Sequence, residues 1–289
     1  MVIPHEMQNR DIADIKAVER SSNQQIPKTL LLALISINAA LYAVAKTITS
    51  FIPTPWGVGQ FAPGVVVPAF FSVVFGPFVG GVGAAIGCFL GDFALSFFGL
   101  TTPLLSLVAG VPGNFVGFYV LGWLYTKRRS LSSYFLTNFV ALFIGNLVAA
   151  LGVLAYFLYI VPTWASWPTN LQIAVVMGLT LFWVTTMVVF VTPLVPLLVI
   201  YIEPTLSKMG IKGVSNLKPS SKADMMKSTG LVTLILVAVY ILVVFMPNGS
   251  QLFAGTIPPE LLLLSAGVIL VTGLVFTALS EKLKRKITN

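Results

Sequence analysis

Eight apolar stretches alternate with short polar or proline-rich connections along this sequence. Most approach the roughly 20 residues that a helix needs to cross the hydrocarbon core of a bilayer. The first is predicted over Thr29–Phe51 and ends in the uncharged loop Pro53-Thr54-Pro55-Trp56-Gly57. The second, Phe61–Phe75, is short and interrupted by Pro63 and Pro68. Gly76-Pro77 then turns the chain into a third, Phe78–Phe97. The fourth, Pro103–Tyr125, stops at Lys127-Arg128-Arg129, and the fifth covers Tyr134–Ile160. The sixth, Leu171–Ile202, is long and expected to kink at Pro193 and Pro196. Spans seven (Thr229–Met246) and eight (Pro259–Leu279) form a hairpin around Pro247-Asn248-Gly249.

Short segments of alternating polarity, the mark of a spanning β-barrel, are missing from this pattern. The expected fold is an all-α polytopic membrane protein with about eight spans. Residues 1–28 read as a polar tail with a possible short helix over Asp11–Arg20. Residues 29–202 read as a six-helix membrane domain and 203–228 as a basic loop. An additional transmembrane hairpin over 229–279 and a basic tail over 280–289 complete the chain.

Composition strengthens this reading: 57% of residues are hydrophobic, 9% are charged, and the mean hydropathy is +0.95. A net charge of +8 raises the question of nucleic acid, and the placement of the charges answers it. Four basic residues fall in the N-terminal tail, three after span four, five after span six and four at the C-terminal end. All of these lie on one side of the map, and the opposite loops hold none. The positive-inside rule makes that side, with both termini, cytoplasmic and places it beside anionic membrane lipid.

The remaining cation, Lys46, falls inside span one, about 9 Å from its uncharged end at 1.5 Å per residue. Asp92 lies at a similar depth in span three. Ionisable groups at such a position point to function. The two either pair with each other or face a pocket and meet a polar ligand; alternatively Lys46 snorkels to the interface and Asp92 caps a helix end.

Gly83, Gly87 and Gly91 recur every fourth residue in span three, a spacing that lets helix backbones approach closely. Ala39 with Ala43, and Ser36 with Ala40, repeat the spacing in span one and suit either internal packing or docking of another membrane subunit. Asn38, Asn114 and Asn146 fall near mid-membrane, as interhelical hydrogen bonds or pocket lining. Asn114 follows Pro112-Gly113, where the helix is expected to distort. Trp56, Trp164 and Trp167 sit at the uncharged interface, where tryptophan anchors, and Trp56 is also placed to cover a pocket.

Enzyme chemistry is expected to be absent. His5, in the tail, is the only histidine, which leaves no HExxH metal motif and no serine–histidine dyad. Asp92 has no second aspartate in the spans with which to form an aspartyl protease pair. A GxxxxGK[ST] phosphate loop is missing, and Cys88 is the only cysteine. No cofactor and no metal are expected.

Four features together resemble the substrate-binding (S) component of an energy-coupling factor transporter. They are the alanine-containing helix LLALISINAALYAVAK, the proline-broken PGVVVPAFFSVVFGP, the small-residue helix GGVGAAIGCFLGD and the helix PGNFVGFYVLGWLY leading to a basic loop. The resemblance covers residues 30–202 and implies a six-helix subunit that binds a vitamin or other small metabolite in the outer half of the membrane. It further implies a transmembrane coupling subunit docked on Ala39 and Ala43, and separate ATPase subunits. Lys46, Trp56, Gln60, Asp92 and Asn114 are the expected substrate-binding residues. The hairpin 229–279 has no counterpart in the family pattern. Two other readings stay open: a stand-alone secondary carrier, and a non-transporting scaffold that recruits a partner through loop 203–228.

Overall fold

The computed structural model describes residues 27–54, 58–211, 217–244 and 259–288. Trp56, the proposed tail helix Asp11–Arg20 and the hairpin turn Pro247-Asn248-Gly249 lie outside the described residues. The chain divides into two compact units, Met1–Ala33 and Leu34–Asn289. The described part of the first unit is Pro27 and the opening of α1 (Lys28–Thr49), where the Leu31 N–H donates to the Pro27 carbonyl at 2.9 Å.

The second unit is helical throughout its spans. After α1 come α2 (Pro63–Phe75), α3 (Pro77–Ser96), α4 (Pro103–Arg128), α5 (Leu131–Ile160), α6 (Thr169–Lys208), α7 (Lys222–Val244) and α8 (Pro259–Thr288). Among the described residues, six helices are long and apolar enough to cross a membrane: α1, α3, α4, α5, α6 and the Leu263–Lys282 part of α8. The protein is an all-α polytopic membrane protein.

The second helix differs from expectation in an informative way. Pro63 opens it with a three-residue 3-10 turn, and Val66–Phe75 then runs as unbroken α-helix. Pro68 does not interrupt it, because the first four N–H groups of a helix need no intrahelical partner. The result is a rod of about 20 Å, short of a full span, and every residue from Pro68 to Phe75 is buried. It packs against α3, α4 and α6. Gly76 adopts φ +93° at its end, which lets Pro77 start α3 after a tight turn.

Close helix contacts are made where glycine removes a side chain. A Cβ on Gly83 would collide with Asn38, and one on Gly87 would sit 2.7 Å from the Ala39 carbonyl. The Gly83–Gly87–Gly91 ladder is therefore the seat of α1. Asn38 fastens the seam by donating to the Val79 carbonyl at 2.9 Å. Gly117 and Gly145 bring α4 and α5 together in the same manner.

Helix α6 runs without a break through Pro193, Pro196 and Pro204, and 78% of its most apolar window is buried, so it is the pillar of the bundle. It extends to Lys208, and α7 begins at Lys222, so the expected basic loop 203–228 is shortened from both ends. The hairpin helices lie on the far wall: α7 packs on α5, and α8 packs on α6 and α7. Ser265 in α8 donates to the Thr185 carbonyl at 3.1 Å, and Phe135 meets Phe276 edge-on.

Candidate functional site

Because α2 is short, the half of the bundle toward the uncharged loops lacks one helix, and a cavity occupies that space. With the open space at its mouth included, it encloses about 560 Å³. The loop Gly59–Ala62 forms one wall, with Tyr42 and Lys46 of α1, Asp92 of α3, Ser106 to Asn114 of α4, Asn146 of α5, and Trp183 and Met187 of α6.

The chemistry is concentrated around Asp92. The glycine seam lets α1 approach α3 until Lys46 Nζ lies 3.1 Å from Asp92 Oδ1, with both side chains nearly buried. The second oxygen, Oδ2, accepts from Ser106 Oγ at 2.6 Å and from Cys88 Sγ at 3.3 Å. Asn114 donates to Cys88 Sγ and to the Gly110 carbonyl, and its own oxygen accepts from Tyr42 OH at 2.8 Å. Tyr42, Asn114, Cys88, Asp92, Ser106 and Lys46 thus form one connected polar cluster inside the apolar bundle. A buried ion pair needs this support, since Coulomb attraction alone scarcely repays the loss of water.

Local backbone geometry serves the cluster. Residues Ser106–Gly110 form a π-helical turn within α4, a deformation that widens a helix and recurs at functional sites. It turns Ser106 toward Asp92 and brings Gly110 against Cys88, where a Cβ would lie 2.9 Å from the sulfur. The distortion expected at Pro112-Gly113 is therefore found one turn earlier.

The cover of the cavity is tied at three points. Thr54 N–H donates to the Gly59 carbonyl at 3.0 Å, Trp183 Nε1 donates to the Gln60 carbonyl at 3.1 Å, and the Gln60 side chain donates to the Leu100 carbonyl. Gly59, at φ +78°, lies so close to Trp183 that a Cβ would overlap the indole. Gln60 thus lines the cavity while its amide nitrogen is spent on the α3–α4 loop.

A second recess adjoins the first and shares Asn114, Asn146, Ala149 and Met187 with it. Its remaining lining is apolar or glycine, including Val65, Gly113, Gly117, Phe118 and Leu121. Asn146 stands at the junction, 7% exposed, and donates to Leu142 and Met187. Among the described residues no donor to its side-chain oxygen is found.

Lys46, Gln60, Asp92 and Asn114 come from four separate segments and meet in this one cavity. Tyr42, Ser106 and Trp183 join them without having been named from sequence, as does Asn146, for which the sequence left pocket lining and an interhelical hydrogen bond both open. Tyr42 was detectable as the residue one turn before Lys46 on the same face, whereas no local signal marks Trp183. The two alanines expected to contact a partner subunit differ in exposure. Ala39 is 3% exposed and packs on Gly87, whereas Ala43 is half-buried, with its carbonyl facing Gly91. Among the small residues of α1, Ala33, Ser36 and Ala40 are exposed.

A family model described as ECF-type riboflavin transporter, S component, matches residues 27–201. No curated protein and no solved structure matches the chain. The match spans more than half the sequence, takes in every residue lining the cavity and ends ahead of the basic loop and the added hairpin, so the chain belongs to the family of ECF-type riboflavin transporter S components.

Proposed function

We propose that this chain captures a flavin-type vitamin, riboflavin, from the uncharged side of the membrane for uptake by an energy-coupling factor transporter. The observation that carries the reading is a polar cavity opening into an apolar recess, inside the region that matches the family. A flat ring with imide groups at one edge and methyl groups at the other has the same division. Lys46 has a third proton beyond those directed at Asp92 and Cys88, suited to a ring carbonyl. The unpartnered oxygen of Asn146 suits a ring N–H, and Phe118 and Leu121 suit the methylated edge.

Energy comes, in this reading, from separate ATPase subunits acting through a transmembrane coupling subunit. The partner contact in this reading is the exposed pair Ser36 and Ala40, beside the half-buried Ala43. Residues 29–202 are the substrate-binding domain, with 229–279 as an added hairpin.

The test is flavin fluorescence quenching by the purified protein, with mass spectrometry of any small molecule that co-purifies. Riboflavin is expected to bind. Lys46→Met and Asn146→Leu each remove a contact of the strength of one hydrogen bond, charged or neutral, and should weaken binding by roughly tenfold or more. Equal affinity in both variants would overturn the site assignment, and a different co-purifying metabolite would overturn the ligand.

A further inference from the structure

A cationic recess lies at the opposite end of α4 from the vitamin cavity. Lys127, Arg128, Arg129 and Lys218 line it with Thr126, around about 720 Å³ of open space, and among the described residues no carboxylate is part of the lining. Glu203 is near enough for its charge, like that of Arg129, to act on Tyr125, but it does not line the recess.

The fold assembles these charges deliberately. Three belong to one run, and the fourth is carried in from a distant segment by backbone pairing. Lys218 N–H donates to the Arg129 carbonyl at 2.9 Å, and Leu131 N–H donates to the Lys218 carbonyl at 3.2 Å. Ser220 secures the same segment: its hydroxyl accepts from Ser132 N–H at 3.0 Å, and its carbonyl accepts from Ser280 of α8. Four like charges held together repel unless an anion sits among them.

Depth identifies the anion's source. Trp123, one turn before Lys127, is 48% exposed, and Lys127 Nζ lies 3.5 Å from its ring centroid. An exposed tryptophan at the basic end of a spanning helix marks the headgroup level of the membrane. Basic pockets at that level suit lipid phosphates.

We propose that this recess binds the headgroup phosphate of an anionic phospholipid. The site is composite, because Lys218 lies beyond the matched region 27–201 and comes only with the added segment. It does not depend on which vitamin fills the other cavity.

The experiment is native mass spectrometry of the full chain in detergent, titrated with phosphatidylglycerol, phosphatidylcholine or inorganic phosphate. Retention of phosphatidylglycerol over phosphatidylcholine is expected. Lys218→Gln should weaken it about fivefold, and Arg128→Gln with Lys218→Gln about thirtyfold, from the usual contribution of each surface cation. Lys218→Arg should restore it, and unchanged elution and thermal unfolding of the variants would show that they are folded. The proposal is overturned by equal retention of the two lipids, by undiminished phosphatidylglycerol binding in the folded double variant, or by inorganic phosphate binding as well as the lipid does.

Discussion

Asp92 has little left to offer a ligand. One oxygen is held by Lys46, and the other accepts from Ser106 and Cys88. It holds Lys46, which lines the cavity together with Asn146. This division of labour has a measurable consequence. Asp92→Leu alone strands an ammonium among apolar helices and should cost about 3 kcal/mol of stability. Lys46→Met combined with Asp92→Leu removes both charges and should recover much of that loss in a thermal unfolding assay. Riboflavin binding should stay weak in the double variant, because the proton donor is gone. Recovery of binding together with stability would assign the pair a purely structural role.

Helices α1 and α3 owe their spacing to absent side chains, and that spacing sets the reach of Lys46. Gly87→Ala adds a methyl group 2.7 Å from the Ala39 carbonyl and should destabilise the protein by roughly 1–3 kcal/mol, the range for overpacking. Gly230, in α7, has nothing within 4 Å of an added Cβ. There the same substitution should stabilise by up to about 1 kcal/mol, since alanine is the better helix former. Opposite signs in paired thermal unfolding curves are the expected result; equal signs would mean that the ladder is not the seat of α1. The shortened α2 acts at the same scale. Its missing turns leave the space that the loop Gly59–Ala62 covers and that the polar cluster lines.

At the scale of the whole molecule, the added hairpin packs on α5 and α6, whereas α1 packs on α3 and leaves Ser36 and Ala40 exposed. Docking of a coupling subunit on that exposed pair is compatible with the hairpin. Cells carrying this chain alone should therefore not accumulate riboflavin, and cells that also carry the coupling and ATPase subunits should. Ala40→Leu should abolish that uptake while leaving flavin binding by the purified chain unchanged. Accumulation by the chain alone would instead favour a stand-alone carrier.

Much of this was decided by local chemistry and could be read directly. The apolar runs had to become helices because a bilayer offers backbone groups no other partner. The clustering of basic residues between them fixed their order, and the rarity of intramembrane charge singled out Lys46 and Asp92. Position along the chain could not tell which way a side chain turns about its helix. Ala39 and Ala43 have the spacing of a docking face, yet the α3 glycines draw Ala39 inward, leave Ala43 half-buried and turn Ser36 with Ala40 outward. Pro68 reads as a break until its place in the first turn of the α-helical stretch Val66–Phe75 is known. Ser106 reaches Asp92 only through a π-helical turn, and Trp183 reaches Gln60 only because α6 stands at the centre. The sequence by itself determined the helices and the two charges. Tertiary packing alone decided what surrounds those charges, because the cavity is made by six segments that share no local pattern.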